Sequence, residues 1–321
     1  MSYYLHDLAP FLFRYVDGRG EGFTARWDGL AYLAGFGLAL WLLKRFVARG
    51  SLHLPEKEVF DFTSLVALLG VLLGGRLGYL FLYDAERFSG NLGLLFQVSQ
   101  GGASFHGGLL GVAGVTAVLA RKHAVSWPHL TDHLVLVAPL GLCLGRLASF
   151  MDGDLLGRVT RVPWAVLFPA ELHLASFQPA QATRLAVERL PASSFDIMRV
   201  AHAAPQVLEE LPRILNPRHP WPLYAALLEG LVLFAVLWAV RLRARPPEGL
   251  LTGLFLGLHA VLHGALGFLR EPHAGDPLWG GLTHGQLLSV PVLAAGVALV
   301  VWSRSRRPES VGVAAPSIQG S

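Results

Sequence analysis

Seven times along this chain, apolar residues continue for about the thickness of a bilayer before charge or proline returns. The runs are approximately Gly29–Val47, Phe62–Tyr83, Gly102–Leu119, Leu130–Phe150, Leu223–Val240, Leu250–Leu269 and Leu287–Trp302. A helix needs about 20 mostly apolar residues to cross a hydrocarbon core. The pattern therefore predicts an all-α integral membrane protein with about seven transmembrane helices. Several runs are dense in glycine: Gly70, Gly74, Gly75 and Gly78 in the second, and Gly107, Gly108, Gly111 and Gly114 in the third. In a soluble helix each would cost up to about 1 kcal/mol. In a membrane, small residues let helix backbones approach closely, and tight packing is the expected role of most of them.

The polar breaks orient the helices. Basic clusters follow every odd-numbered run: Lys44, Arg45 and Arg49; Arg121 and Lys122; Arg241, Arg243 and Arg245; Arg304, Arg306 and Arg307. The excess of Lys and Arg on cytoplasmic loops predicts an N-terminus outside and a C-terminus in the cytoplasm. Residues 1–307 read as one polytopic membrane domain. Its longest connection, residues 151–222, lies on the outer side and holds short helices expected over Ala180–Leu190, Ser194–Ala201 and Ala204–Leu211. Residues 308–321 read as a disordered tail.

Composition agrees with this class. Of the 321 residues, 53% are hydrophobic and 15% charged, against roughly 25% charged in soluble domains. The single cysteine, Cys143, excludes an internal disulfide framework and reads as a small packed hydrophobe. The first residues lack the apolar stretch of a cleavable signal peptide, so the first spanning helix is expected to drive insertion. No basic low-complexity tract points to nucleic acid.

Chemistry-bearing residues stand out against this apolar background. An arginine at the edge of hydrocarbon costs roughly 2.5–3.5 kcal/mol on insertion scales, so it normally faces protein or a polar ligand. Arg146 is one, and Ser149, Asp152, Asp154 and Arg158 follow it closely, as expected for the wall of an intramembrane polar site. Arg76, Tyr79 and Tyr83 fall on one helix face, able to hold an anionic headgroup or to form an interfacial belt. His106 sits near a helix start between glycines, a placement that suits catalysis, the alternative being a hydrogen-bonded structural histidine. His259 and His263 lie four apart in the sixth run, with Arg270 and Glu271 beyond. That is the spacing of a helix metal site. The residues between are Ala260, Val261 and Leu262, so the glutamate of a His-Glu-x-x-His protease pattern is missing. The reading adopted holds no metal; the alternative is a site built from His259 and His263 with Asp152 or Asp154.

Taken in order, these segments resemble the prolipoprotein diacylglyceryl transferase family of bacterial inner-membrane enzymes over nearly the whole chain. Arg26–Tyr32 is similar to the family's entry to its first helix, Gly74–Tyr83 to its Gly-Gly-Arg-x-Gly-Tyr segment, and Gly101–Gly111 to its Gly-Gly-x-Ser-Phe-His-Gly-Gly motif. Asp132 stands where the family has an aspartate before its fourth helix. Gly145–Arg158 falls on the Gly-Arg-x-Gly-Asn-Phe-x-Asn-Gly-Glu signature, and His219–Tyr224 resembles His-Pro-x-Gln-Leu-Tyr. Leu282–Ser289 resembles the opening of the last helix.

The resemblance implies a multi-pass enzyme of the bacterial inner membrane. It would transfer a diacylglyceryl group from phosphatidylglycerol to the lipobox cysteine thiol of a preprolipoprotein. Glycerol phosphate would leave, and no metal or organic cofactor would be required. The implied roles are His106 as base, Arg146 as phosphate holder, and Arg76 with Tyr79 orienting the lipid. Ser149, Asp152, Asp154, His259, His263 and Arg270 would line the site.

The chain also departs from the family pattern. Gly-Asn is Ala148-Ser149, and Asn-Gly-Glu is Asp152-Gly153-Asp154. The family's Tyr, Arg and Glu on the sixth helix are His259, His263 and Gly267, and the Tyr after the first-helix Trp is Asp28. A buried imidazole can replace a guanidinium only with an acid beside it to hold its proton. Two further readings follow from these departures: a paralogue acting on another lipid or acceptor, and a non-catalytic lipid-binding membrane protein.

Overall fold

The computed structural model describes residues 3–9, 11–16, 22–96, 102–174, 205–243, 246–272 and 280–306. Five of its helices are long and apolar enough to cross a membrane: α1 (Trp27–Ala48), α2 (Glu56–Tyr83), α7 (Trp221–Arg243), α8 (Leu250–Gly267) and α9 (His284–Ser305). A sixth candidate is the pair α4 (Trp127–Val135) and α5 (Ala138–Met151), which bends by 41°. The sequence pattern had this pair as one run. Pro139 lies in the first turn of α5, where its ring and missing N–H break the preceding hydrogen-bond ladder. The third apolar run does form a helix, α3 (Phe105–Lys122), but it is not among the helices apolar enough to count. The described residues thus hold five or six candidate spans, and the chain is a multi-pass membrane protein.

The outside of the bundle is apolar, with Leu33, Leu110 and Val290 exposed, as a lipid-facing surface requires. Inside, Leu43, Phe62, Leu130, Leu136, Leu237 and Leu251 form a continuous apolar core. The most enclosed spanning helix is α8, with 56% of its apolar stretch buried against 17% in α1 and α9.

Glycines set the closest helix approaches. A Cβ on Gly78 would lie 2.4 Å from Gly107 Cα, and one on Gly296 would lie 2.5 Å from Gly257 N. The first pair locks α2 to α3 and the second locks α8 to α9, in the packing role expected of small residues. Wide π-type turns interrupt α2 at Val66–Leu73 and α7 at Ala226–Val232.

The C-termini of α1, α3, α7 and α9 gather at one end, which carries Lys44, Arg121, Arg241 and Arg304. There Asp132 of α4 caps α8: its carboxylate accepts from the backbone N–H of Gly249 and of Thr252, both at 2.8 Å, and from the Thr252 hydroxyl at 2.6 Å. A side-chain oxygen satisfying helix-start N–H groups is ordinary N-capping, here supplied from a different helix.

The opposite end is not all-α. β1 (Tyr4–Leu5) runs parallel to β4 (Val166–Leu167), which pairs antiparallel with β5 (Pro217–Arg218). β2 (Phe11–Val16) and β3 (Gly22–Arg26) make a hairpin leading into α1. Arg218 ties the polar segments together, donating to Glu171 at 2.7 and 2.9 Å, to Glu271 at 3.1 Å and to the Gly157 carbonyl at 3.0 Å. Helix α6 (Pro205–Ile214) meets the helix expected over Ala204–Leu211. The helices expected over Ala180–Leu190 and Ser194–Ala201, and the tail after residue 307, lie outside the described residues.

Candidate functional site

The polar residues buried between α3, α5, α7 and α8 converge on Glu229. This glutamate is fully buried and sits in the wide turn of α7, a geometry often found at functional sites. Close approach of α5 to α7 brings its partners near: a Cβ on Gly230 would lie 2.6 Å from Cys143 Cβ. One turn beyond Cys143, Arg146 directs a guanidinium nitrogen to Glu229 Oε2 at 3.4 Å. From α8, His263 Nδ1 meets Glu229 Oε1 at 2.8 Å. The glutamate therefore holds a guanidinium on one oxygen and an imidazole on the other.

His259, one turn earlier on α8, is 2% exposed. Its ring lies 5.6 Å from that of His263, 4.3 Å from Phe105 and 5.8 Å from Phe255. Neither of its ring nitrogens has a hydrogen-bond partner among the described residues. Leaving a buried polar group unsatisfied costs roughly 1–3 kcal/mol, so a protein keeps such a group where something else uses it. The His259 ring lies between Phe105, the residue before His106, and His263, which shares Glu229 with Arg146. It is the centre of the cluster.

His106 is the second residue of α3, whose start is fixed by Ser104: the Ser104 hydroxyl accepts from Gly107 N–H at 3.3 Å. Its ring stands 6.5 Å from that of His263, nearly perpendicular. Arg146 also lies over the buried Trp221 ring at 4.9 Å, and Arg270 approaches the same ring at 5.1 Å. Such cation–π contacts hold a guanidinium in place while leaving its edge able to bind. At the lost glutamate position, a Cβ on Gly267 would strike the Gln286 side chain at 2.7 Å. The amide of Gln286, which also closes the capping box of α9, fills that space and donates to the Gly264 carbonyl at 3.0 Å.

The structure thus brings together His106, Arg146, His259 and His263, with Arg270 over the Trp221 ring that Arg146 also contacts. The other residues singled out in the sequence are placed differently. Arg76 donates to the carbonyls of Leu94 at 2.7 Å and Gly102 at 3.2 Å, and lies 5.9 Å from the Tyr79 ring. Tyr79 packs on Gly102, whose φ of +85° and position under the ring leave no room for a side chain, and stacks on Tyr83 at 5.7 Å. Ser149 donates back to the Gly145 carbonyl at 3.1 Å. Asp154 is exposed. Asp152 is buried and accepts from Arg26 at 3.2 Å. Burial and the neighbouring Asp28 carboxyl push Asp152 up to about 7, against the pull of Arg26.

Sequence reasoning did not single out Glu229. The signal was present, since a lone carboxylate inside the apolar run Ala225–Val232 marks a functional position by its cost alone.

Residues 19–302 match the family model for prolipoprotein diacylglyceryl transferase. The chain is 38% identical over 303 residues to the phosphatidylglycerol–prolipoprotein diacylglyceryl transferase of Xanthomonas oryzae pv. oryzae, covering 94% of this chain and 93% of that protein. It is 39% identical over 290 residues to the protein of the same name from Chromohalobacter salexigens, covering 89% and 90%. Against that of Erwinia tasmaniensis it is 38% identical over 288 residues, covering 89% and 90%. With the match extending over most of its length, the chain belongs to the prolipoprotein diacylglyceryl transferase family.

Proposed function

We propose that this protein transfers the diacylglyceryl group of phosphatidylglycerol to the lipobox cysteine thiol of a preprolipoprotein. It would do so from the bacterial inner membrane, with its N-terminus outside and the Glu229 end facing the outer leaflet. The observation that carries the reading is the convergence of Arg146 and His263 on Glu229, with the His106 ring 6.5 Å from that of His263, in a chain of this family. Thiolate is the nucleophilic form of cysteine, and a free thiol is mostly protonated at neutral pH. His106 takes the thiol proton. The sulfur then attacks the glyceryl carbon that carries the phosphate ester. A C–S bond forms, the C–O bond breaks, and its electron pair leaves on the phosphate oxygen as glycerol phosphate. Arg146 stabilises that developing charge, which requires its guanidinium to be shared between Glu229 and phosphate. Cations aimed at charge that grows in the transition state are usually the largest catalytic contribution. Arg270 and Ser149 line the entrance, and Arg76 with Tyr79 shapes the wall that receives the lipid.

The test is transfer of labelled diacylglyceryl from phosphatidylglycerol vesicles to a lipobox peptide, with complementation of a transferase-depleted bacterium beside it. Wild-type protein labels the peptide and rescues growth, while Arg146→Ala does neither at equal membrane abundance. Full activity of that variant would remove Arg146 from the mechanism. A second reading, transfer to another acceptor or from another headgroup, is favoured by the histidines and Gln286 that reline the site. It predicts consumption of a different lipid with the lipobox peptide left unlabelled. Lipid that co-purifies and stays intact with every acceptor would make the protein a lipid binder instead.

A further inference from the structure

We propose that Glu229, His259 and His263 bind one divalent metal ion of the zinc class inside the helix bundle. One ligand atom from each residue can be chosen so that all lie within 4.8 Å of one another. Three donors around a tetrahedral ion with bonds of 2.0–2.2 Å sit about 3.3–3.6 Å apart, so small side-chain rotations close the group. Two imidazoles with one carboxylate suit zinc and its neighbours in the first transition row. The histidines come from successive turns of α8, the most enclosed spanning helix, and the glutamate from the wide turn of α7.

Two independent features separate this group from an ordinary buried polar cluster. His259 is 2% exposed, and both of its ring nitrogens lack a hydrogen-bond partner among the described residues. Glu229 is already oriented as a metal-binding carboxylate would be: Arg146 holds Oε2 at 3.4 Å, and Oε1 meets His263 Nδ1 at 2.8 Å. Second-shell contacts of this kind fix a ligand and are as characteristic of metal sites as the ligands themselves.

Three protein ligands leave one coordination position open. Its use in the reaction rests on the transferase reading. An ion there would add positive charge beside Arg146, where the departing phosphate needs it, and would favour the ionised form of a nearby thiol. It would also account for a pocket that has exchanged the family's arginine on this helix for a histidine.

The experiment uses full-length protein purified in detergent without chelators. Elemental analysis should find about one zinc-class ion per chain. Cobalt loaded in its place should give the intense visible absorption of a four-coordinate site. His259→Phe keeps the ring packing and removes no protein hydrogen bond, so it should remain folded by circular dichroism. It should bind zinc more than about 100-fold more weakly in competition with a chromophoric chelator, beyond the 10–100-fold that outer-shell changes produce. Glu229→Gln should weaken binding similarly, and His129→Gln at the far end of the bundle should not. Absence of stoichiometric metal from active wild-type protein, or equal zinc affinity in wild type and His259→Phe, overturns the site. Lipobox labelling by metal-free protein would keep the transferase reading and remove the ion. Tight metal binding without labelling of any acceptor would keep the ion and remove the transferase.

Discussion

The two ends of the bundle each carry a histidine pair at the same spacing, His129 with His133 on α4 and His259 with His263 on α8. At the basic end the nitrogens are mostly occupied. His129 Nε2 accepts from the His53 backbone N–H at 3.3 Å, which puts the proton of the neutral ring on Nδ1, where Glu248 lies at 3.3 Å. His133 Nδ1 meets the His129 carbonyl at 2.8 Å, and only its Nε2 lacks a partner among the described residues. Nearby His123 pairs with Glu58 at 3.1 Å. These contacts fasten the loop after α1, the start of α4 and the start of α8 to one another. At the other end the carboxylate is completely buried, an arginine shares it, and His259 has both nitrogens to spare. Helical spacing makes a pair of histidines neighbours. What distinguishes a site from a fastening is the hydrogen-bonding capacity left over after folding.

The two carboxylates give the sharpest test of that contrast. Glu229→Ala takes a fully buried carboxylate away from Arg146 and His263, and loss of one member of a buried pair costs about 3–5 kcal/mol. Glu248→Ala removes a partner whose side chain is 48% exposed, and such surface pairs are worth about 0–1 kcal/mol. Thermal unfolding of the two variants in one detergent should separate them clearly. Equal losses would mean that the basic-end histidines are as dependent on their acid as the site is, and the contrast would fail.

Activity should divide the ends next. Arg146→Ala should lower lipobox labelling by about 10²–10³-fold, the loss that follows removal of one donor to a developing oxyanion. His129→Gln should leave the rate unchanged, because its contacts are confined to the opposite end. A matching loss in both variants would show that the effect travels through the fold and not through contact with phosphate.

The aspartates extend the comparison at smaller scale. Asp132→Ala leaves the N–H groups of Gly249 and Thr252 without their acceptor, and should cost about 2 kcal/mol, the upper part of the range for a lost N-cap. Asp132→Asn can still accept and should recover part of it. Transferase activity, normalised to folded protein, should be the same in both; a fall would move Asp132 from capping to chemistry.

What was readable in the sequence follows the same division. The glycine faces and the opening of α9 within Leu282–Ser289 depend on local spacing and are found in the structure, while the apolar runs are matched in part, by five or six candidate spans among the described residues. Asp132 could be noticed but not explained, because the N–H groups it serves lie more than a hundred residues away. Asp152 and Asp154 follow Arg146 by a few positions, yet the end of α5 turns them toward Arg26 and solvent, and the acid that does meet Arg146 is Glu229 from α7. Gln286 in the space above Gly267 is similar: a substitution on one helix is compensated from another. Small strands at the polar end, two residues each in β1, β4 and β5, are too short to leave a period in the sequence.

Asp152 supplies the smallest effect and the one with a definite sign. In the folded protein it keeps a proton up to about 7, whereas its ordinary value is 3.8. Between those values the folded chain holds a proton that the unfolded chain has released. Stability must then fall as pH rises through that interval, with the contribution complete below it and gone above it. Unscreened, the two units from pH 5 to about 7 would carry about 2.7 kcal/mol. The neighbouring Arg26 and Asp28 side chains are half-exposed, and solvent screening reduces this to roughly 1 kcal/mol, a fall on the order of 2–4 °C in the unfolding temperature between pH 5 and pH 8. Asp152→Asn cannot ionise, still presents an oxygen to Arg26, and should flatten the profile, whereas Asp132→Asn at the other end should leave the slope in place. If the slope survives in Asp152→Asn, the proton belongs to another group, and the carboxyl pair at the entrance to α1 would have to be ionised together beside a half-exposed arginine.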